Sequence, residues 1–286
     1  MRTRRKRHPF RRFFLRLFFL AALVAGLLLW SNRCLQITHF DLSFPNLPEG
    51  FDGARITVLA DTHGVRFGEG NQRLFNAVAE TEPEFIFFPG DLEDSVRGPE
   101  PGYAEELAAG LTAIAPTYYV TGNHEWANGD VPKLKKRLRA NGVQVLSNQF
   151  LPLERGGDAV ILAGIDDPNG RADQKTPQEL AAEVDALEGD PFWMLLAHRN
   201  NRFEEEYSLL GADLVICGHG HGGIVRLPFT DGLIDHDRSL FASYSAGVYE
   251  ANGSTLFVTR GLGNSGISLR LFNRPEVASL TLHRAD

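Results

Sequence analysis

Eight polar residues stand at the ends of short apolar runs. Asp61 and His63 follow residues 56–60, Asp91 follows 85–90, Asn123 and His124 follow 118–122, His198 follows 193–197, and His219 and His221 follow 214–218. Seven of them (Asp61, His63, Asp91, Asn123, His198, His219 and His221) offer two carboxylates, one amide carbonyl and four imidazoles. That is too many ligands for one tetrahedral ion, and it suits two divalent ions sharing a carboxylate. Oxygen and nitrogen donors without thiolate favour Mn, Fe or Zn over Ca or an all-oxygen Mg cage. Asp61/His63 and His219/His221 are each two apart, and in extended backbone alternate side chains share a face, so each pair can bite one ion. His124 is adjacent to Asn123 and points elsewhere, which lets one coordinate while the other faces a substrate. Singly, each residue has a plainer reading as a helix cap, an interior histidine or a turn; the ordered set outweighs those readings.

The runs that must position these residues are β-rich and four to six residues long, the pattern of strands buried on both faces. Helix-like segments lie between them at residues 71–80, 104–114, 133–140, 177–187 and 203–210. Steps of 30 residues from Asp61 to Asp91 and 32 from Asp91 to Asn123 are the size of a βαβ unit. In an α/β sheet such strand ends gather outside the carboxyl edge, so five polar termini are expected on one rim. Residues from the 240s to 258 and 277–283 alternate like antiparallel strands. Asp166 and Asp167 read as a loop-initiating turn. Arg199, Arg226, Arg260 and Arg274 are candidates for holding a phosphate, and Arg226 is preferred for its nearness to the two final histidines.

The 286 residues, 43% hydrophobic and 23% charged, supply a full core and exclude a disordered or collagenous chain. Two cysteines, Cys34 and Cys217, make no disulfide scaffold. The net charge of −7 is uneven: residues 1–33 carry nine basic residues and no acid, leaving 20 basic against 36 acidic residues beyond them. So acidic a body offers no broad surface for nucleic acid. Behind the basic head, Leu17 to Trp30 is an uncharged run of 14 residues, about 21 Å as a helix and extendable through Phe13 to Leu15 with Arg16 snorkelling. No clean small-x-small cleavage site follows, so a retained membrane anchor is expected, with the body outside the cytoplasm by the positive-inside bias. Arg11-Arg12-Phe13-Phe14-Leu15-Arg16 also resembles a twin-arginine export signal. The expected division is 1–33 as basic head and anchor, 34–53 as linker and first strand, and 54–286 as the catalytic domain.

Asp61-Thr62-His63, Gly90-Asp91-Leu92-Glu93-Asp94, Gly122-Asn123-His124-Glu125, His198 and Gly218-His219-Gly220-His221 occur in that order. In this the chain resembles the calcineurin-like metallophosphoesterase superfamily, and residues 222–228, 260–263 and 273–276 resemble its membrane-associated bacterial branch. The resemblance implies a four-layer αββα sandwich of two mixed sheets flanked by helices. It implies one ion on Asp61, His63, Asp91 and His221, and another on Asp91, Asn123, His198 and His219. His124 would then donate to the phosphoryl oxygen or leaving group, with Asp94 holding its ring. The activity implied is hydrolysis of a phosphodiester or phosphate ester by a hydroxide bridging the ions. The partner implied is a phosphoester substrate, with a lipid-linked one as an option. A UDP-2,3-diacylglucosamine pyrophosphate hydrolase is one alternative, although it would place the site on the cytoplasmic face. A non-catalytic metal-binding scaffold is the other. Ala60, Gly220 and Arg199-Asn200 depart from the family's commoner residues without removing a ligand.

Overall fold

The computed structural model describes residues 9–170, 174–226, 232–234, 240–241, 243–265 and 269–285. Three apolar clusters need four layers to bury them. The chain opens with α1 (Pro9–Arg33) and then builds two six-stranded sheets. In the first sheet, β1 (Gln36–Phe44) lies parallel to β14 (Glu276–Arg284). β14 runs antiparallel to β2 (Ala54–Val58), and β3 (Phe85–Pro89), β4 (Thr117–Val120) and β5 (Gln144–Val145) follow in parallel. The second sheet has the order β12 (Gly247–Ala251), β13 (Ser254–Val258), β9 (Leu214–Gly218), β8 (Trp193–Arg199), β7 (Asp158–Gly164) and β6 (Gln149–Arg155). Its centre is parallel and both edges close as antiparallel hairpins. A short ribbon, β10 (Val225–Arg226) with β11 (Gly232–Ile234), stands apart.

Between the sheets lies a core that includes Ile56, Val58, Phe87 and Val120 from one and Met194, Leu196, Ile216 and Phe257 from the other. The opposite face of the first sheet is covered by α2 (Gln72–Glu80), α3 (Tyr103–Thr112) and α5 (Val131–Ala140). Their buried residues recur at helical spacing: Leu74 and Val78, then Ala104, Leu107, Ala108 and Leu111, then Val131, Leu134 and Leu138. The outer face of the second sheet is covered by α6 (Pro177–Asp185), which starts at a Thr176/Glu179 capping box. The fold is thus the expected α/β class with two mixed sheets between helical layers.

Two local expectations are corrected. Residues 203–210 form no α-helix: Glu206 leaves helical backbone at φ −134°, and only the 3-10 turns Asn200–Arg202 and Tyr207–Leu209 flank it. The Ser208 hydroxyl donates to the Glu204 carbonyl and its amide to that of Phe203, so local bonds displace the helical ladder. Strand β14 is mixed rather than antiparallel, with Glu276 to Leu280 all buried, because it has neighbours on both edges and layers on both faces. Residue 242 of the expected C-terminal strands lies outside the described residues.

The helix α1 spans 25 residues, roughly 37 Å at the standard rise. Among the described residues it is the helix long and apolar enough to cross a membrane, with a mean hydropathy of 2.3 over its best window and none of that window buried. Its last turn belongs to the body. Ser31 is fully buried, and Asn32 bonds to the segment around Arg270 from the far end of the chain.

Candidate metal centre

The carboxyl ends of β2, β3 and β4 in one sheet and β8 and β9 in the other meet at a single rim, and the structure brings all seven expected ligands there. Asp61, His63 and His221 form one group whose ligand atoms lie within 4.8 Å of one another, and Asp91, His198 and His219 form another. Asp91 sits between them. Its Oδ1 accepts from the His124 amide at 2.9 Å, which leaves Oδ2 facing His198 Nε2 at 3.2 Å and His63 Nε2 at 3.9 Å. Asn123, the first residue of α4 (Asn123–Asn128), places Oδ1 3.0 Å from His198 Nε2. His198 Nδ1 is 2.8 Å from the Pro89 carbonyl; a carbonyl only accepts, so Nδ1 carries a proton there, and Nε2 is the nitrogen that would give up its own proton to face an ion.

The close pairs are not made by strand periodicity. Asp61, His63, Asp91, His219 and His221 all have φ between 45° and 66°, so each pair converges through left-handed turns and not through extended backbone. Such backbone costs of order 1 kcal/mol or more per non-glycine residue and gathers at functional sites. Gly90, at φ +83°, and Gly122 permit the crowding: a Cβ on Gly90 would lie 2.5 Å from the Gly122 amide and 2.9 Å from His198 Nδ1. Glu125, quoted only as part of a motif, is the buried clamp beneath. It accepts from the amides of Asp91 at 3.0 Å, Glu93 at 2.9 Å and Gly122 at 2.7 Å. Burial, then the charge of Asp91, pushes its carboxyl up to about 8 against those three donors.

The electrostatics suit a cation. Burial pushes Asp61 up to about 7 and pulls His63 down to about 4. Burial also opposes charge on His198 and Asp91, but their mutual attraction wins, raising the former to about 10 and holding the latter well below its ordinary value. Imidazole nitrogens confront one another at 3.2 Å (His63 and His221) and 3.1 Å (His198 and His219), and His63 Nδ1 is buried without a partner. Imidazoles crowded around two buried carboxylates, with His63 Nδ1 lacking a partner, make a donor set that a divalent cation reconciles. The donor set therefore fits the group it is expected to hold.

His124 lies at the edge of this cluster with its side chain 13% exposed. Its Nδ1 accepts from the Ser95 amide at 2.9 Å, while Asp94 Oδ1 is at ion-pair distance, 3.6 Å, and Arg97 takes Asp94 Oδ2 at 2.6 Å. A cavity of about 200 Å³ opens over Asp91, Asn123, His124, His219 and His221, and is closed by Ile224, Asn264, Ser265 and Arg270. Arg270 escaped sequence reasoning, because Leu-Arg-Leu carries no motif. Burial pulls its guanidinium down to about 10, still charged at neutral pH.

The arginines singled out from sequence have other partners. Arg199 pairs with Asp167 at 2.7 Å and Arg260 with Glu276 at 2.6 Å. Arg274 stacks on Trp30 and donates to the Cys34 and Leu35 carbonyls, and Arg226 donates to the Gly222 carbonyl at 2.8 Å. Asp166 and Asp167 are more than a turn: both are buried, and Asp166 holds Lys135 at 2.5 Å.

Fold and centre together are of the metallophosphoesterase class, although the chain spans little more than half the length of the transmembrane relatives it matches. Residues 54–223 match the calcineurin-like phosphoesterase family, and the chain belongs to it. It is 30% identical over 262 residues to a zebrafish (Danio rerio) transmembrane protein with metallophosphoesterase domain, an alignment covering 87% of this chain and 58% of that protein. It is 27% identical over 257 residues to the uncharacterized metallophosphoesterase YkuE of Bacillus subtilis (strain 168), covering 87% and 85%. Among solved structures, Haemophilus influenzae NAD nucleotidase aligns with a TM-score of 0.48 at 15% identity over 72% of this chain and 49% of that one. The apolar helix and the relatives named as transmembrane proteins point to membrane association.

Proposed function

We propose that the chain is a membrane-anchored binuclear phosphoesterase. The observation that carries this reading is the position of Asp91 Oδ2, within 3.9 Å of both His63 and His198 and hence available to two neighbouring ligand groups. One ion would take Asp61, His63, Asp91 and His221, the other Asp91, Asn123, His198 and His219, with Mn, Fe or Zn suited to the donors. Bound there, a pair of ions supplies a nucleophile from water near neutral pH and positive charge against the phosphoryl oxygens. The chain's own residues do the rest. A backbone amide can only donate, so the bond from Ser95 makes His124 Nδ1 an acceptor and places the ring proton on Nε2. His124 lines the cavity with Nε2 3.9 Å from Asp91 Oδ2, and that N–H would serve as donor to a phosphoryl oxygen or the departing alkoxide. Asp94, through its charge and its bond to Arg97, keeps the Ser95–Arg97 turn beneath the ring.

Residues 1–33 act as head and anchor, and the remainder as one catalytic body outside the cytoplasm. The bonds from the end of α1 to the cavity wall support a substrate drawn from the membrane surface, a lipid-linked phosphoester among them. The test is metal analysis of the full chain in detergent, with hydrolysis of bis-p-nitrophenyl phosphate, a phosphomonoester and a nucleotide-linked pyrophosphate. Two metal equivalents and metal-dependent turnover are expected; metal-free protein that hydrolyses none of the three substrates after reconstitution would refute the reading.

A further inference from the structure

We propose that Arg270 is the substrate-phosphate residue of this centre, presented to the cavity by the last turn of the membrane helix. The inference rests on the phosphoesterase reading and adds to it a residue outside the sequence blocks named above. Arg270 is 1% exposed and walls the cavity beside His221 and Asn264. Its Nε donates to the Gly263 carbonyl at 3.2 Å and to Asn264 Oδ1 at 2.8 Å. Its Nη2 donates to the Gly263 carbonyl at 2.7 Å and stands 3.4 Å from His221 Nδ1. Nη1 is buried and has no partner.

No carboxylate among the described residues lies within ion-pair distance of this guanidinium, whereas Arg97, Arg199 and Arg260 nearby each hold an acid directly. A buried cation satisfied only by neutral acceptors, with one N–H edge unused, is a costly arrangement that an anionic ligand relieves. Arginine is the side chain whose planar fork matches phosphoryl oxygens, and a buried fork needs little reorganisation to bind them.

The presentation is built from the other end of the chain. Asn32, in the last turn of α1, donates to the Arg270 carbonyl at 2.9 Å and accepts from the Arg270 amide at 3.1 Å, so one side chain fixes both backbone groups. Its Oδ1 also accepts from Asn264 at 2.9 Å, and Ser31 accepts from the Phe272 amide at 3.1 Å. Asn32 is thus a positioning residue that acts through Arg270.

The experiment compares full-length wild type, Arg270→Gln, Arg270→Lys and Asn32→Ala in detergent. It reads metal content, melting temperature, KM and kcat for bis-p-nitrophenyl phosphate, and the inhibition constant of inorganic phosphate. Arg270→Gln is expected to keep its metal and raise both KM and the phosphate inhibition constant at least tenfold, with Arg270→Lys recovering part of the loss. An unchanged phosphate constant in metal-replete Arg270→Gln overturns the proposal, as does metal loss in step with activity, which would make Arg270 a support for His221. If Arg270→Gln does not fold, Asn32→Ala decides: a raised phosphate constant supports the assignment and an unchanged one defeats it. A wild type that holds metal and turns over keeps the underlying reading intact whatever the variants do. A wild type lacking both metal and turnover ends that reading instead.

Discussion

At the scale of single residues, the division of labour between Asp91 and His124 gives opposite signatures. His124→Ala is expected to lower kcat by about 10²- to 10⁴-fold, the usual range for a positioned proton donor, while metal content measured by atomic emission stays within error of wild type. Asp91→Asn removes the oxygen facing both ligand groups, so metal and activity should fall together. The candidate ligands were legible as a set because Asp, Asn and His are out of place at the ends of apolar strands, and five such junctions in order leave few other readings. Arg270 and Ser95 were not legible: a lone arginine in a loop and a serine after a motif acquire meaning only from what chain folding sets beside them. The reason Asp61 and His63 act as a pair was also hidden, since turn dihedrals and not alternation bring them together.

Among elements, helices α2, α3, α5 and α6 could be read from helix-like composition to within a few residues, and the strands from their β-rich runs. What could not be read was the 203–210 segment, where side-chain bonds to local backbone override composition. Helix α6 owes its start to Thr176, whose hydroxyl accepts from the Glu179 amide. Thr176→Ala should cost about 1 kcal/mol in chemical denaturation. The two sheets are also tied by charge: Arg155 on β6 donates to Glu84, just before β3, at 2.6 Å, and this bond holds the Glu84 carboxyl below its ordinary value. A carboxyl lowered in the folded state stabilises fully above the unfolded value and loses that contribution as pH falls through the folded one. The contribution of Glu84 is therefore complete at neutral pH and fades below about pH 4.3. Melting temperatures of wild type and Glu84→Gln should converge as pH falls from 6 to 3, and parallel curves would refute this role.

For the molecule as a whole, α1 and the catalytic body behave as one object because Ser31 and Asn32 are anchored in the cavity wall. Full-length chain should remain with membranes after carbonate washing, whereas residues 34–286 should not. The shortened body should also show a higher KM for bis-p-nitrophenyl phosphate at equal metal content, since it lacks Asn32. A KM equal to that of the full chain would show that the helix is a tether and nothing more.

Strand β14 carries a consequence for the order of assembly. Residues 276–284 slot between β1 and β2, so β1 (36–44) has no strand beside it, and β2 pairs with β3 alone, until some 220 further residues have been polymerised. A ribosome-bound chain stalled at residue 270 should thus leave residues 36–44 open to protease, and β1 should resist digestion only once residue 284 has cleared the exit tunnel. Closure of the first sheet then waits on β14, and a secretion route accepting finished globules meets a closed sheet where one threading nascent chain meets an unfinished one.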